Sequence, residues 1–140
     1  MADREPLIDP ARETCFPADF VEDVARGGFP GFVRRLPKAD YAADGAGAIR
    51  GFVARGTCQV VFNENDEEVT FAPHRHAQSF GVVLAGECEL VIDGVATRYK
   101  VGETYHVPAG VLHYAWQSAN YRDIVVFDEP MRVPVVADEP

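Results

Sequence analysis

The stretch Gly102-Glu103-Thr104-Tyr105-His106-Val107-Pro108-Ala109-Gly110-Val111-Leu112-His113 decides how this chain is read. An alternating run, Thr104–Val107, has the period of a strand with one face buried. Pro108 and Gly110 then break it. Proline fixes its own φ and glycine accepts positive φ, so the pair builds a rigid turn. The residue that opens the next β run is His113, and the turn fixes where that side chain enters.

Outward from this stretch the pattern is short β runs between turn signals. Upstream lie Ile49–Arg55, Thr57–Asn63, Val69–Phe71, Phe80–Leu84, Glu87–Ile92 and Ala96–Val101; downstream lie His113–Gln117 and Arg122–Phe127. Asp93-Gly94 between Ile92 and Val95 is the strongest hairpin signal in the chain. Pro73 can sit only at a strand edge or start. About nine closely spaced β runs with almost no helix predict an all-β antiparallel sandwich or barrel over residues 48–128. Residues 1–47 read as an arm rich in Pro, Gly and Ala. It carries one short helix candidate, Ala18–Arg26, and a second apolar piece, Phe29–Leu36, closed by Pro37. Residues 129–140 read as a tail or an edge strand.

Composition narrows the function classes. With 140 residues, 47 % of them hydrophobic and 25 % charged, the chain is long enough for one domain with a real core. Its formal charge of −9 repels phosphate backbones and anionic membrane surfaces, which argues against nucleic-acid and membrane partners. No apolar run approaches the length of a membrane span, and no signal peptide is visible. Cys15, Cys58 and Cys88 include no C-x-x-C pair, so the expectation is unpaired thiols in a reducing cytoplasm. Cys88, inside a strand-like run, reads as a small apolar filler.

All four histidines, His74, His76, His106 and His113, lie between residues 74 and 113. On a strand, His74 and His76 point to the same face and Arg75 to the other. A metal site needs further ligands from elsewhere, and antiparallel barrels readily bring a distant residue such as His113 alongside.

Gly102 to His113 resembles the second motif of the cupin family, G-x5-P-x-G-x2-H, at every fixed position; Gln117 stands where that motif usually ends in Asn. His74-x-His76, with Gly86 further on, resembles the first motif, and residues 87–101 separate the two. Gly81-Val-Val-Leu-Ala-Gly-Glu-Cys-Glu-Leu-Val-Ile-Asp-Gly94 is similar to the matching run of small single-domain bacterial cupins. The resemblance implies a double-stranded β-helix, or jelly-roll barrel, with a divalent transition metal on His74, His76 and His113. The usual Glu of the first motif is missing. Gln78, Ser79 or water completes the site, and strand parity with His74 and His76 favours Gln78. His106 occupies a position often aromatic in similar cupins and reads as structural. Without the carboxylate, a divalent site keeps a charge near +2 and draws anions more strongly. Imidazole-rich ligation suits Zn, Fe, Ni or Cu and does not choose among them.

Two function classes follow. One is a metal-dependent enzyme acting on a small, oxygenated, anionic metabolite, either by Lewis-acid isomerase or lyase chemistry or as an Fe(II) dioxygenase with a three-His site. Similar small cupins convert unsaturated uronates; they carry an acid two positions before the last strand's Phe, where this chain has Val125, with Asp123 and Asp128 nearby. The other class is a non-catalytic module that binds or senses a small ligand. A homodimer is expected, because apolar stretches in both arms (Phe16–Phe20, Phe29–Val33, Met131–Val136) exceed what one small barrel covers; arms folded back on their own barrel are the alternative.

Overall fold

A computed structural model describes residues 28–42, 46 and 48–136. The helix expected at Ala18–Arg26, the stretch Phe16–Phe20 and Cys15 lie outside the described residues. The chain divides into two compact units, Met1–Arg35 and Leu36–Pro140. The described part of the first holds a single-turn helix, α1 (Gly31–Arg34), preceded by Pro30 in extended conformation. The Pro30 carbonyl accepts from the N–H groups of Val33 and Arg34, and Arg34 Nε donates to the Phe29 carbonyl at 2.9 Å.

The second unit is all-β, as the alternation predicts. Its strands are β1 (Arg50–Arg55), β2 (Gln59–Glu64), β3 (Val69–His74), β4 (Ser79–Ala85), β5 (Glu87–Ile92), β6 (Val95–Lys100), β7 (Thr104–Val107), β8 (His113–Gln117) and β9 (Arg122–Phe127). They form a five-stranded sheet in the order β1-β2-β9-β4-β7 and a four-stranded sheet in the order β3-β8-β5-β6. Every pairing is antiparallel.

Local chemistry accounts for the elements. In β7 buried positions alternate with exposed ones and in β9 with half-buried ones, which puts Tyr105, Val107, Asp123, Val125 and Phe127 inward. Asp93 and Gly94 both take positive φ, 50° and 76°, and join β5 to β6 through the two-residue hairpin that Asp-Gly favours. Pro73 lies in β3, an edge strand, where its missing N–H leaves the fewest bonds unmade. Val53, Val61, Val83, Cys88 and Val133 are almost fully enclosed in the core. Burial pushes the Cys88 thiol up to about 11, so it stays protonated and behaves as the expected filler.

Beyond β1 the sheet is extended by the chain's own flanks. Ala39 N–H donates to Gly51, Val53 N–H to Pro37, and Val136 N–H to Lys38; Val135 bridges to Ala39. Pro134–Val136 thus lies beside its own barrel. Among the described residues, no helix is long and apolar enough to cross a membrane.

Candidate metal centre

A slip in strand pairing aims the first histidine. The register of β3 against β8 shifts between Phe71 and His74, across Ala72-Pro73. Pro73 cannot donate to the ladder, so the chain bulges there. The inward face passes from Phe71 to His74, three residues on instead of two, and His74 comes to lie opposite His113, the first residue of β8.

His76 lies past the end of β3 and is held differently. Its carbonyl accepts from Gly110 N–H at 2.9 Å, and Arg75 Nη1 donates to the Gly110 carbonyl at 2.8 Å. Gly110 has φ +73°, a conformation that glycine adopts without strain. The Pro108–Gly110 turn therefore clamps the segment carrying His76 while it also launches His113.

The three side chains converge. One ring nitrogen from each of His74, His76 and His113 lies within 4.8 Å of the others, with ring centroids 4.2 to 5.2 Å apart. Each Nδ1–H donates to a main-chain carbonyl: His74 to Ala72 (2.8 Å), His76 to Ala77 (2.6 Å) and His113 to Val111 (2.9 Å). Such a bond fixes the tautomer and leaves the Nε2 lone pair as the available ligand. Burial pushes the His76 imidazole down to about 4, helped by Arg132, His113 and His74 and opposed by its bond to Ala77. Burial lowers His113 as well. Neutral imidazole is the form that binds a metal, so the donor set fits a divalent transition ion.

The structure does not bring Gln78 to this cluster. A bend at Ala77 interrupts the strand between His76 and Ser79, so parity does not carry across it. Gln78 Nε2 donates to Asp128 Oδ2 at 2.9 Å, and Gln78 Oε1 faces His106 Nε2 at 3.3 Å, both at exposed positions. Ser79 is the residue that turns inward, buried and lining the cavity beside the histidines. His106 occupies an outward position of β7, away from the other three.

The cavity measures about 70 Å³ and runs from the histidines into the barrel. Its walls include Phe71, Leu90, Val107, Val125 and Phe127, and Arg132 is its cationic lining residue. At its inner end sits a buried polar group centred on Asp123, which in the sequence alone is only a nearby acid. Tyr105 and Tyr121 hydroxyls both donate to Asp123 Oδ2 at 2.7 Å; Asn63 Nδ2 donates to Asp123 Oδ1 at 3.1 Å, and Asn63 Oδ1 accepts from the Tyr41 hydroxyl. Burial pushes Asp123 up and the three donors pull it back. Two glycines make room for the tyrosines. A Cβ at Gly81 would fall 2.2 Å from the Tyr105 ring, and one at Gly51 would fall 2.9 Å from that of Tyr41. Gly81 faces Tyr105 across β4 and β7, a pairing that the linear sequence does not signal.

The profile of the cupin domain family matches residues 59–127. Solved structures with the same fold include an RmlC-like cupin from Shewanella frigidimarina NCIMB 400, 21 % identical with TM-score 0.57, aligned over 71 % of this chain and 87 % of that one. KdgF from Halomonas sp. is 23 % identical with TM-score 0.54, over 61 % of this chain and 81 % of its own. EutQ from Clostridium difficile is 18 % identical with TM-score 0.51, over 68 % and 82 %. The sequence matches no curated protein. Residues 59–127 are a cupin domain, folded as two antiparallel sheets that bring His74, His76 and His113 together.

Proposed function

We propose that the protein is a metal-dependent cupin enzyme that holds one divalent transition ion on His74, His76 and His113. Its substrate is a small, oxygenated, anionic metabolite, and its chemistry is of the isomerase or lyase type. The observation that carries this reading is the set of three Nδ1-to-carbonyl bonds. They leave Nε2 of each ring as the available donor, in a cluster where one ring nitrogen from each histidine lies within 4.8 Å of the others and no carboxylate belongs to the set.

A bound divalent ion would polarise a carbonyl or enediol oxygen. The chain's own residues supply the rest. Neutral ligands leave the ion's charge uncompensated, and Arg132 adds a cation to the same cavity, so the site favours an anion. Phe127 stands edge-on to His76, with ring centroids 5.1 Å apart, and makes an apolar wall that excludes water. At the inner end Tyr105 keeps its proton, because burial and Asp123 raise its pKa well above the usual phenol range. It therefore faces the cavity as a donor already held by Asp123.

The test is elemental analysis of tag-free protein, followed by a turnover screen with the metal found, using short hydroxy acids, keto acids and unsaturated uronates. Turnover without oxygen consumption supports the proposal. Oxygen consumption with Fe(II) alone makes it a dioxygenase; saturable binding without turnover makes it a sensing or storage module.

A further inference from the structure

Among the described residues that line the cavity, Gln117 places a polar side chain where the barrel supplies no evident use for it. It belongs to β8, on the same inward face as His113, four residues and therefore about 13 Å further along the strand. It is 7 % exposed, and its Oε1 is buried with no hydrogen-bond partner among the described residues. The same side chain lines the cavity that the three histidines open into. A buried amide oxygen without a partner is costly, and native barrels rarely keep one. Methionine or leucine would fill the same volume without that cost. The neighbouring acceptor, Asp123, already takes three donors, so a further cation is not what this end of the cavity lacks. An amide offers a donor and an acceptor side by side, and a hydroxyl answers both.

We infer that Gln117 is a specificity-determining residue that receives a hydroxyl at the inner end of the cavity, so that the ligand is a short hydroxy acid. The inference rests on the metal-centre reading above: the carboxylate lies at the histidine and Arg132 end, and the hydroxyl lies on Gln117. A cavity of about 70 Å³ has room for about five water molecules, the scale of such an acid.

The experiment uses the zinc-loaded full chain and calorimetric titration with matched pairs: 3-hydroxypropionate against propionate, 4-hydroxybutyrate against butyrate, and 5-hydroxyvalerate against valerate. In the wild type, at least one hydroxy acid should bind about tenfold or more tightly than its deoxy partner. In Gln117→Met that preference should fall below about twofold, with zinc stoichiometry unchanged and the ligand-free melting temperature raised. Equal binding of every pair, a preference that survives in Gln117→Met, or zinc loading with no acid bound overturns the inference. A lowered melting temperature in Gln117→Met also overturns it, because Gln117 would then be structural. Failure of the wild type to load zinc is a separate result: it removes the metal-centre reading, and this inference with it.

Discussion

His74 and His113 stand opposite each other across the β3–β8 pair, ring centroids 4.2 Å apart, just after that pair has slipped register at Pro73. The slip and the Gly110 turn are the two backbone devices that aim the histidines. Gly110→Ala is therefore expected to cost about 1–2 kcal/mol, since an L-residue at φ +73° is strained. It should also weaken zinc binding about tenfold, because the turn clamps His76. Thermal unfolding and metal titration check it; unchanged zinc affinity would mean that the clamp does not position His76.

Gln78→Ala should leave zinc affinity within about threefold of wild type, because its amide is engaged by Asp128 and His106 outside the cavity. His106→Phe should do the same. A tenfold loss in Gln78→Ala would show that Gln78 swings inward on metal binding, as strand parity alone suggests.

Tyr105→Phe removes one of three donors to a buried carboxyl and should destabilise the protein by about 1–3 kcal/mol at pH 7. The sign of its pH dependence follows from Asp123, whose folded pKa is already raised by burial and rises further when a donor goes. The folded state then takes up a proton more readily than the unfolded chain, so the deficit should shrink as pH falls. Denaturant melts between pH 5 and 8 measure it; a deficit that grows on acidification contradicts the assignment. Gly81→Ala should disturb the same network from the other side, at about 3 kcal/mol, by colliding with the Tyr105 ring.

The metal-free protein should lose stability as pH falls from about 6.5 to about 4. The unfolded chain protonates His76 at the ordinary value of 6.5, whereas the folded state resists until about 4. Stability from this group is therefore complete above pH 6.5 and declines below it, by at most about 3 kcal/mol. His113, lowered in the same direction, adds to the slope. Melting the chelator-treated protein across this range tests it, with His76→Gln expected to flatten the curve.

Much of this was legible in the residues. Strand alternation, the Asp93-Gly94 hairpin and the Pro108–Gly110 turn pointed to the barrel, and the resemblance to the cupin motifs pointed to His74, His76 and His113 as a set. The Gln78 parity argument reads differently in the structure because parity holds only within a strand, and Ala77 bends the chain between His76 and Ser79. Likewise His74 faces inward through a bulge that periodicity does not register. The Asp123 network was the hardest part to see. Its members come from β2, β7, β9 and the segments flanking them, so only the folded sheet places Asn63 opposite Asp123 and Tyr105 opposite Gly81. Gln117 could be flagged as a departure from the motif's usual Asn, but its burial and missing partner could not.

One divalent ion on three imidazoles is tested by metal titration of chelator-treated, tag-free protein beside its His74→Ala, His76→Ala and His113→Ala variants. The account predicts one zinc, iron, nickel or copper ion per wild-type chain, and a loss of about 100-fold or more in affinity in each variant with the far-ultraviolet dichroism of the barrel retained. A wild type that binds none of the four ions, or three variants that bind as the wild type does, would contradict it.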